Sequence, residues 1–199
     1  MPRSQGYKAI VIGISTGGVQ TLKKLLGALP KDFPLPLIIV QHISPDSGRG
    51  IVELLDGACS IHVKEADEQE LPIGGTVYMA PADYHLMVEP DGKLGLSTEP
   101  PVNHARPSVD VLFETAAEAF GKGLVGVILT GAGSDGSRGL KRIKALGGVA
   151  VVQNPEDAIA DSMPRSAIMA VTPDYIATLA DLPRLFTNLS KRSNHGYSP

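Results

Sequence analysis

Four short runs of the chain are apolar almost without interruption: Ala9–Ile14, Leu37–Val40, Val125–Leu129 and Val149–Val152. Each is rich in Val and Ile and stops in a polar or glycine-rich turn. A strand with one wet face alternates apolar and polar residues, whereas an unbroken apolar run is covered on both faces, as in a parallel sheet between helices. Helical patterns fill the intervals. Val19 to Leu29 sets Leu22, Leu25, Leu26 and Leu29 on one stripe, and Ser108 to Phe120 does the same with Val109, Leu112, Phe113, Ala116 and Phe120. Ser108 is placed to cap that second helix. Gly139 to Leu146 predicts a third, closed by Gly147-Gly148. One region breaks the rhythm: Thr76–Ala80, Tyr84–Glu89 and Lys93–Ser97 alternate more, and Asp91-Gly92 is a hairpin signal. The expected fold is α/β, a doubly wound, mainly parallel sheet with helices on both faces and an antiparallel hairpin near one edge. Residues 1–8 read as an N-terminal extension, 9–189 as one domain and 190–199 as a disordered tail, since the chain turns polar and unpatterned from Asn188.

Composition narrows the class. At 199 residues, 43% of them hydrophobic, the chain can bury a sizeable single core. A net charge of −3 gives no footprint for nucleic acid or an anionic membrane. Cys59, the one cysteine, cannot form an internal disulfide, which suits a reducing cytosol. No apolar run approaches the roughly 20 residues of a membrane helix, and MPRSQGYK has no apolar signal core behind its basic residues. The expectation is a soluble cytoplasmic protein with no nucleic-acid partner and no membrane insertion. The oligomeric state stays open.

The candidate chemistry lies at the ends of the apolar runs. The first enters Gly13-Ile14-Ser15-Thr16-Gly17-Gly18 and then a helix. Two readings compete for this turn. Its free N–H groups could cradle a phosphate, although Ser15 stands where G-x-G-x-x-G needs its second glycine and no Walker lysine follows. Alternatively it is G-x-S-x-G, a sharp turn that lifts a serine hydroxyl above the sheet edge. The second run ends in Gln41-His42 and the third in a glycine-rich loop carrying Asp135. If the first two strands are neighbours, they lie about 4.8 Å apart, and hydroxyl and imidazole can meet. In open α/β sheets the ligand crevice lies beyond the carboxyl ends of the strands, so Ser15, His42 and Asp135 point at one edge. A serine needs a base near neutral pH, and the base needs an anion to hold its tautomer. Asp135 could instead cap the helix that follows it.

VIGISTGG, VQHISP, VYMAPADYHL, RPSVDVLF, LTGAGSDG and QNPEDAIADSMPRSAI, in that order, resemble the catalytic domain of the chemotaxis protein-glutamate methylesterases, the CheB family. The resemblance spans about residues 9–189. It implies a serine hydrolase with nucleophile Ser15, base His42 and orienter Asp135. The substrates it implies are glutamyl methyl esters, and also glutamines, of methylated chemotaxis receptors, with no cofactor. Backbone N–H groups of the turn after Ser15, at Thr16, or of Ala132 and Gly133 are the oxyanion candidates. Two departures stand out. Ala132 occupies the place of a methionine that lines the family's active-site floor, which implies a wider pocket. Only eight residues precede the first strand, where full-length members carry a phospho-receiver domain, so the expectation is a free-standing enzyme or a trimmed piece of a longer chain.

Other residues have plainer readings beside functional ones. Thr16 could bond near the nucleophile or serve turn packing. Arg106 resembles the arginine of the family's RPS motif and could contact the receptor or hold its own loop. His85 belongs to the predicted hairpin, resembles the histidine of the family's AP…H segment and could line the site in contact with substrate. His62 and His195 are expected to face solvent, and His104 lies in a loop near Arg106. Cys59 with His62 three residues on could suggest a cysteine nucleophile, but neither sits at a predicted strand end. No C-x-x-C or H-E-x-x-H spacing suggests a metal site. The rival to the esterase is a regulatory module binding phosphate or a nucleotide in the two glycine loops.

Overall fold

The computed structural model describes residues 6–42 and 50–194, with side chains through Lys191. The apolar runs form the centre of a seven-stranded parallel sheet. Its strands are β1 (Ala9–Ile14), β2 (Leu37–Gln41), β3 (His62–Glu65), β4 (Thr76–Met79), β7 (Leu124–Ile128), β8 (Val149–Gln153) and β9 (Tyr175–Ala177), in the order β3-β4-β2-β1-β7-β8-β9. Every residue of β1, β2 and β7 is buried, as unbroken apolar runs require. Successive side chains serve opposite faces. Ile10, Ile12 and Ile14 join the core beneath α1 (Gly18–Gly27), α2 (Ile51–Ala58) and α6 (Leu182–Asn194). Ala9 and Val11 join the core beneath α3 (Val109–Phe120), α4 (Ser137–Ala145) and α5 (Ser162–Ala170).

The order puts β1, the strand that leads into Ser15, between β2 and β7. From β1 the chain steps to β2 on one side and later returns to β7 on the other, so three adjacent strands release their loops at one edge. Gly13 brings a helix to that edge: a Cβ there would lie 2.2 Å from Val109 Cγ1. Without one, the N-terminus of α3 sits against the end of β1.

The structure corrects three expectations. Thr76–Ala80 belongs to no hairpin: β4 lies within the main sheet, parallel to β2 and β3. Its alternation is only apparent, because Tyr78 is buried with its hydroxyl accepting from Ile73 N–H at 3.1 Å. The hairpin itself, β5 (His85–Val88) with β6 (Leu94–Ser97), is a separate two-stranded sheet against α3, turned at Asp91-Gly92 with Gly92 at φ 88°. Finally, the expected fraying from Asn188 is replaced by helix to Asn194, with Leu182, Phe186 and Leu189 inward. Past Leu189 the helix carries no apolar residue to announce it. His195 lies outside the described residues.

Candidate active site

Ser15, His42 and Asp135 follow β1, β2 and β7 in turn and lie at one carboxyl edge of the sheet. His42 N–H donates to Ile14 O at 3.0 Å, extending the β1–β2 ladder one step beyond the strands. Ser15 N–H donates to Thr130 O at 3.0 Å, which ties the turn to the β7 loop on the other side. Gly17, at φ 80°, opens α1 in a left-handed conformation that glycine adopts without strain. Ser15, Thr16, Gly17, Gln41, His42 and Ile159 are among the residues lining an open cavity of about 510 Å³.

His42 and Asp135 are in contact: His42 Nε2 lies 2.8 Å from Asp135 Oδ2. A carboxylate only accepts, so Nε2 carries the proton and Nδ1 keeps the lone pair. Among the described residues no hydrogen bond joins Ser15 Oγ to His42. Such contacts often tighten only when substrate binds.

Asp135 does not cap the helix that follows it, since Gly136 holds that position in α4 without a side-chain bond. It caps α3. Oδ2 accepts Val109 N–H at 2.8 Å, and Oδ1 accepts Asp110 N–H and the Ser108 hydroxyl, each at 3.0 Å. With His42 this makes four donors on one buried carboxylate, at the positive end of a helix. Burial pushes its pKa up, but the bonds from His42, Asp110 and Val109 and the His42 charge outweigh burial, holding it below the ordinary carboxylate value. Asp135 therefore stays anionic at neutral pH. Asp110, beneath it, goes the other way. Burial and the Asp135 charge raise its pKa against the opposing Gly139 N–H bond and Arg138 charge.

The remaining candidates separate. Thr16 is exposed on the cavity wall, and its carbonyl accepts from Thr130 Oγ1 at 3.0 Å. The Thr16 and Gly17 N–H groups have no hydrogen-bond acceptor among the described residues, nor does that of Ala132. Gly133 N–H donates to Ser162 Oγ at 3.1 Å, so that oxyanion candidate is already engaged. Ala132 is exposed and does not line the cavity, so the expected widening of the pocket is not seen there. Arg106 holds its own loop, donating from one guanidinium nitrogen to Thr98 O and Glu99 O at 2.9 and 3.1 Å. His85 is buried behind the site: Nδ1 accepts Ser108 N–H at 3.2 Å and Nε2 reaches Pro100 O at 3.2 Å. It braces the residue that braces Asp135. His62 faces solvent against Asp56, and burial raises the pKa of the Cys59 thiol, which disfavours the thiolate. His104 is exposed. Among the described residues no cluster of His, Cys, Asp and Glu could hold a metal.

Sequence reasoning missed Gln41, Thr130 and Ser108 as supports of the site. All three are buried polar residues beside a strand end or helix start. Burial of polar groups is invisible along the chain, so adjacency to His42, Gly131 and Val109 was the only signal.

The CheB methylesterase family model matches residues 10–186. A Leptospira interrogans protein provisionally named protein-glutamate methylesterase/protein-glutamine glutaminase is 48% identical over 94% of this chain and 97% of its own. The protein-glutamate methylesterase/protein-glutamine glutaminase of Paraburkholderia xenovorans is 43% identical over 89% of this chain, which spans 49% of that longer protein. Among solved structures, the catalytic domain of the Thermotoga maritima CheB methylesterase matches with a TM-score of 0.88 at 35% identity, covering 92% of this chain and 99% of that one. These likenesses lend nothing to a phosphate-binding module. A match over nearly the whole domain, on the same fold, means that the chain belongs to the CheB methylesterase family.

Proposed function

We propose that the protein hydrolyses the side-chain methyl esters of glutamyl residues in chemotaxis receptors, through a triad of Ser15, His42 and Asp135. The observation that carries this is the convergence of the three residues at adjacent strand ends, with His42 Nε2 held 2.8 Å from an anionic Asp135. His42 Nδ1 takes the Ser15 proton as Oγ attacks the ester carbonyl. The tetrahedral oxyanion is received by the unengaged N–H groups of Thr16 and Gly17, which line the cavity. The imidazolium, stabilised by Asp135, then gives its proton to the departing methoxide, releasing methanol. Water activated by Nδ1 frees the carboxylate and restores Ser15. An amide follows the same course, so a receptor glutamine yields glutamate and ammonia. No cofactor takes part in either course. The proposed setting is the cytoplasm; no helix among the described residues is long and apolar enough to cross a membrane.

Methanol release from a methylated receptor tests the reading. The wild-type chain should release methanol and its serine should react with a fluorophosphonate. Ser15→Ala should lose both, with a fall in turnover of about 10⁶-fold on the precedent of other serine triads. Retention of more than about a tenth of the activity would remove Ser15 from the mechanism.

A further inference from the structure

Gln41 ends β2 and is 6% exposed. Its Nε2 donates twice, to Ser15 O at 2.9 Å and to His42 O at 3.1 Å. Carbonyls only accept, so this orientation of the amide is the one that satisfies both. Among the described residues Oε1, on the other side, is buried with no hydrogen-bond partner. An unpaired buried oxygen is unfavourable, so the two donations must be favourable enough to hold the amide there. The seat for it is Gly18. A Cβ on Gly18 would lie 1.8 Å from Oε1, 2.4 Å from Nε2 and 2.5 Å from Cδ. Gly18 opens α1 with no left-handed φ, so glycine is required for room and not for backbone conformation.

We propose that Gln41 is a positioning residue: seated on Gly18, its amide clamps the backbone carbonyls of Ser15 and His42 and so sets the distance between nucleophile and base. This rests on the serine-hydrolase reading. Strand pairing alone fixes β1 against β2 only as far as His42 N–H, whereas Ser15 lies one residue past β1 and turns away. The amide spans that gap. It also couples two motifs that are remote in sequence, the second glycine of Ser15-Thr16-Gly17-Gly18 and the glutamine of Gln41-His42. A larger residue at one position has no room while the amide occupies the other.

The discriminating variant is Gln41→Met, which keeps the length and shape over Gly18 but removes both donations and the unpaired oxygen. A residue that only filled space would leave chemistry unchanged in this variant. The clamp predicts that fluorophosphonate labelling of Ser15 slows by about 10²-fold, with kcat falling alike, KM nearly constant and the melting temperature close to wild type. A second measurement uses the seat. Gly18→Ala alone should slow labelling by displacing the amide, but should slow it no further in a Gln41→Ser background, where the space is vacated. Wild-type labelling with an unchanged rate in Gln41→Met overturns the clamp alone. No labelling of the wild type overturns the serine-hydrolase reading and the clamp with it. Should Gln41→Met fail to fold, additive losses in the Gly18→Ala and Gln41→Ser pair overturn the clamp.

Discussion

Asp135→Asn is the most telling single change, because four donors converge on the carboxylate and an amide can accept on one side only. If the amide oxygen faces His42 and Val109, its NH₂ meets Asp110 N–H head to head, although the Ser108 hydroxyl can turn to accept. If the NH₂ faces His42 instead, it opposes Val109 N–H, and His42 must move its proton to Nδ1, the atom that should receive the Ser15 proton. Either way one buried backbone N–H loses its acceptor, which costs about 1–3 kcal/mol. Removing the anion from the N-terminus of α3 adds roughly 0.3–2 kcal/mol. The sum, about 1.3–5 kcal/mol, lowers the melting temperature of a domain of this size by about 3–20 °C. Turnover should fall by about 10²- to 10⁴-fold, because the imidazolium loses its anion even where the tautomer survives. The stability loss also has a pH signature. The folded pKa of Asp135 lies below its ordinary value of 3.8, so its contribution is present above that value and is lost as pH falls through the folded pKa. The gap between wild type and variant should therefore hold at neutral pH and narrow below 3.8. Urea unfolding across pH, alongside methanol release, reads both effects. A variant melting within about 2 °C of wild type at neutral pH would refute the four-donor account.

Further outcomes can be stated briefly. His42→Ala should lose turnover on the scale of Ser15→Ala, about 10⁶-fold; methanol release near wild type would exclude it as the base. Asp110→Asn should become more favourable to stability, relative to wild type, as pH rises through the raised folded pKa of Asp110, since the wild type then bears a buried charge beside Asp135. A flat difference in urea unfolding between acid and neutral pH would contradict that sign. His85→Ala should lose about 1–3 kcal/mol by orphaning Ser108 N–H, together with some turnover; an unchanged urea midpoint would count against the brace. Ala132→Met adds a flexible side chain in open solvent, so melting should stay constant and any effect should appear in KM, within about 1–3 kcal/mol. A thousandfold fall in kcat, by order of magnitude, would show that the loop shapes the chemistry.

The central strands were legible because burial on both faces leaves an unbroken apolar run, and β1 begins and ends where the run does. The elements that escaped are those whose cores are small or borrowed. Strand β3, His62–Glu65, is buried only at Val63 and reads as a polar stretch. Strand β9, Tyr175–Ala177, is three residues at the opposite edge with Ile176 exposed. In β4 the tyrosine mimics a polar position because its hydroxyl is satisfied internally, which no periodicity reveals. Edge strands and terminal helices have fewer neighbours to satisfy, so their sequences record less of the fold.

The candidate site was legible for a different reason, and only in part. Ser15, His42 and Asp135 could be chosen because a glycine turn or strand end carries few constraints, so a polar residue there stands out against the apolar run before it. The reason offered for Asp135 as a plain structural residue, capping the next helix, follows from sequence neighbours and fails in space. The helix it caps lies 26 residues earlier, counting from Asp135 to Val109. Asp110, in the first turn of that helix, in turn accepts Gly139 N–H at 2.8 Å near the start of α4. The two carboxylates thus tie the helices to one another in series, α3 to the β7 loop and α4 to α3. Burial and charge then divide their roles: the one with four donors stays ionised, and the one beneath it is pushed toward neutrality. Asp135 is held by tertiary hydrogen bonds from a remote helix. Its place at a strand end could be read from the chain, but the reason it stays charged could not.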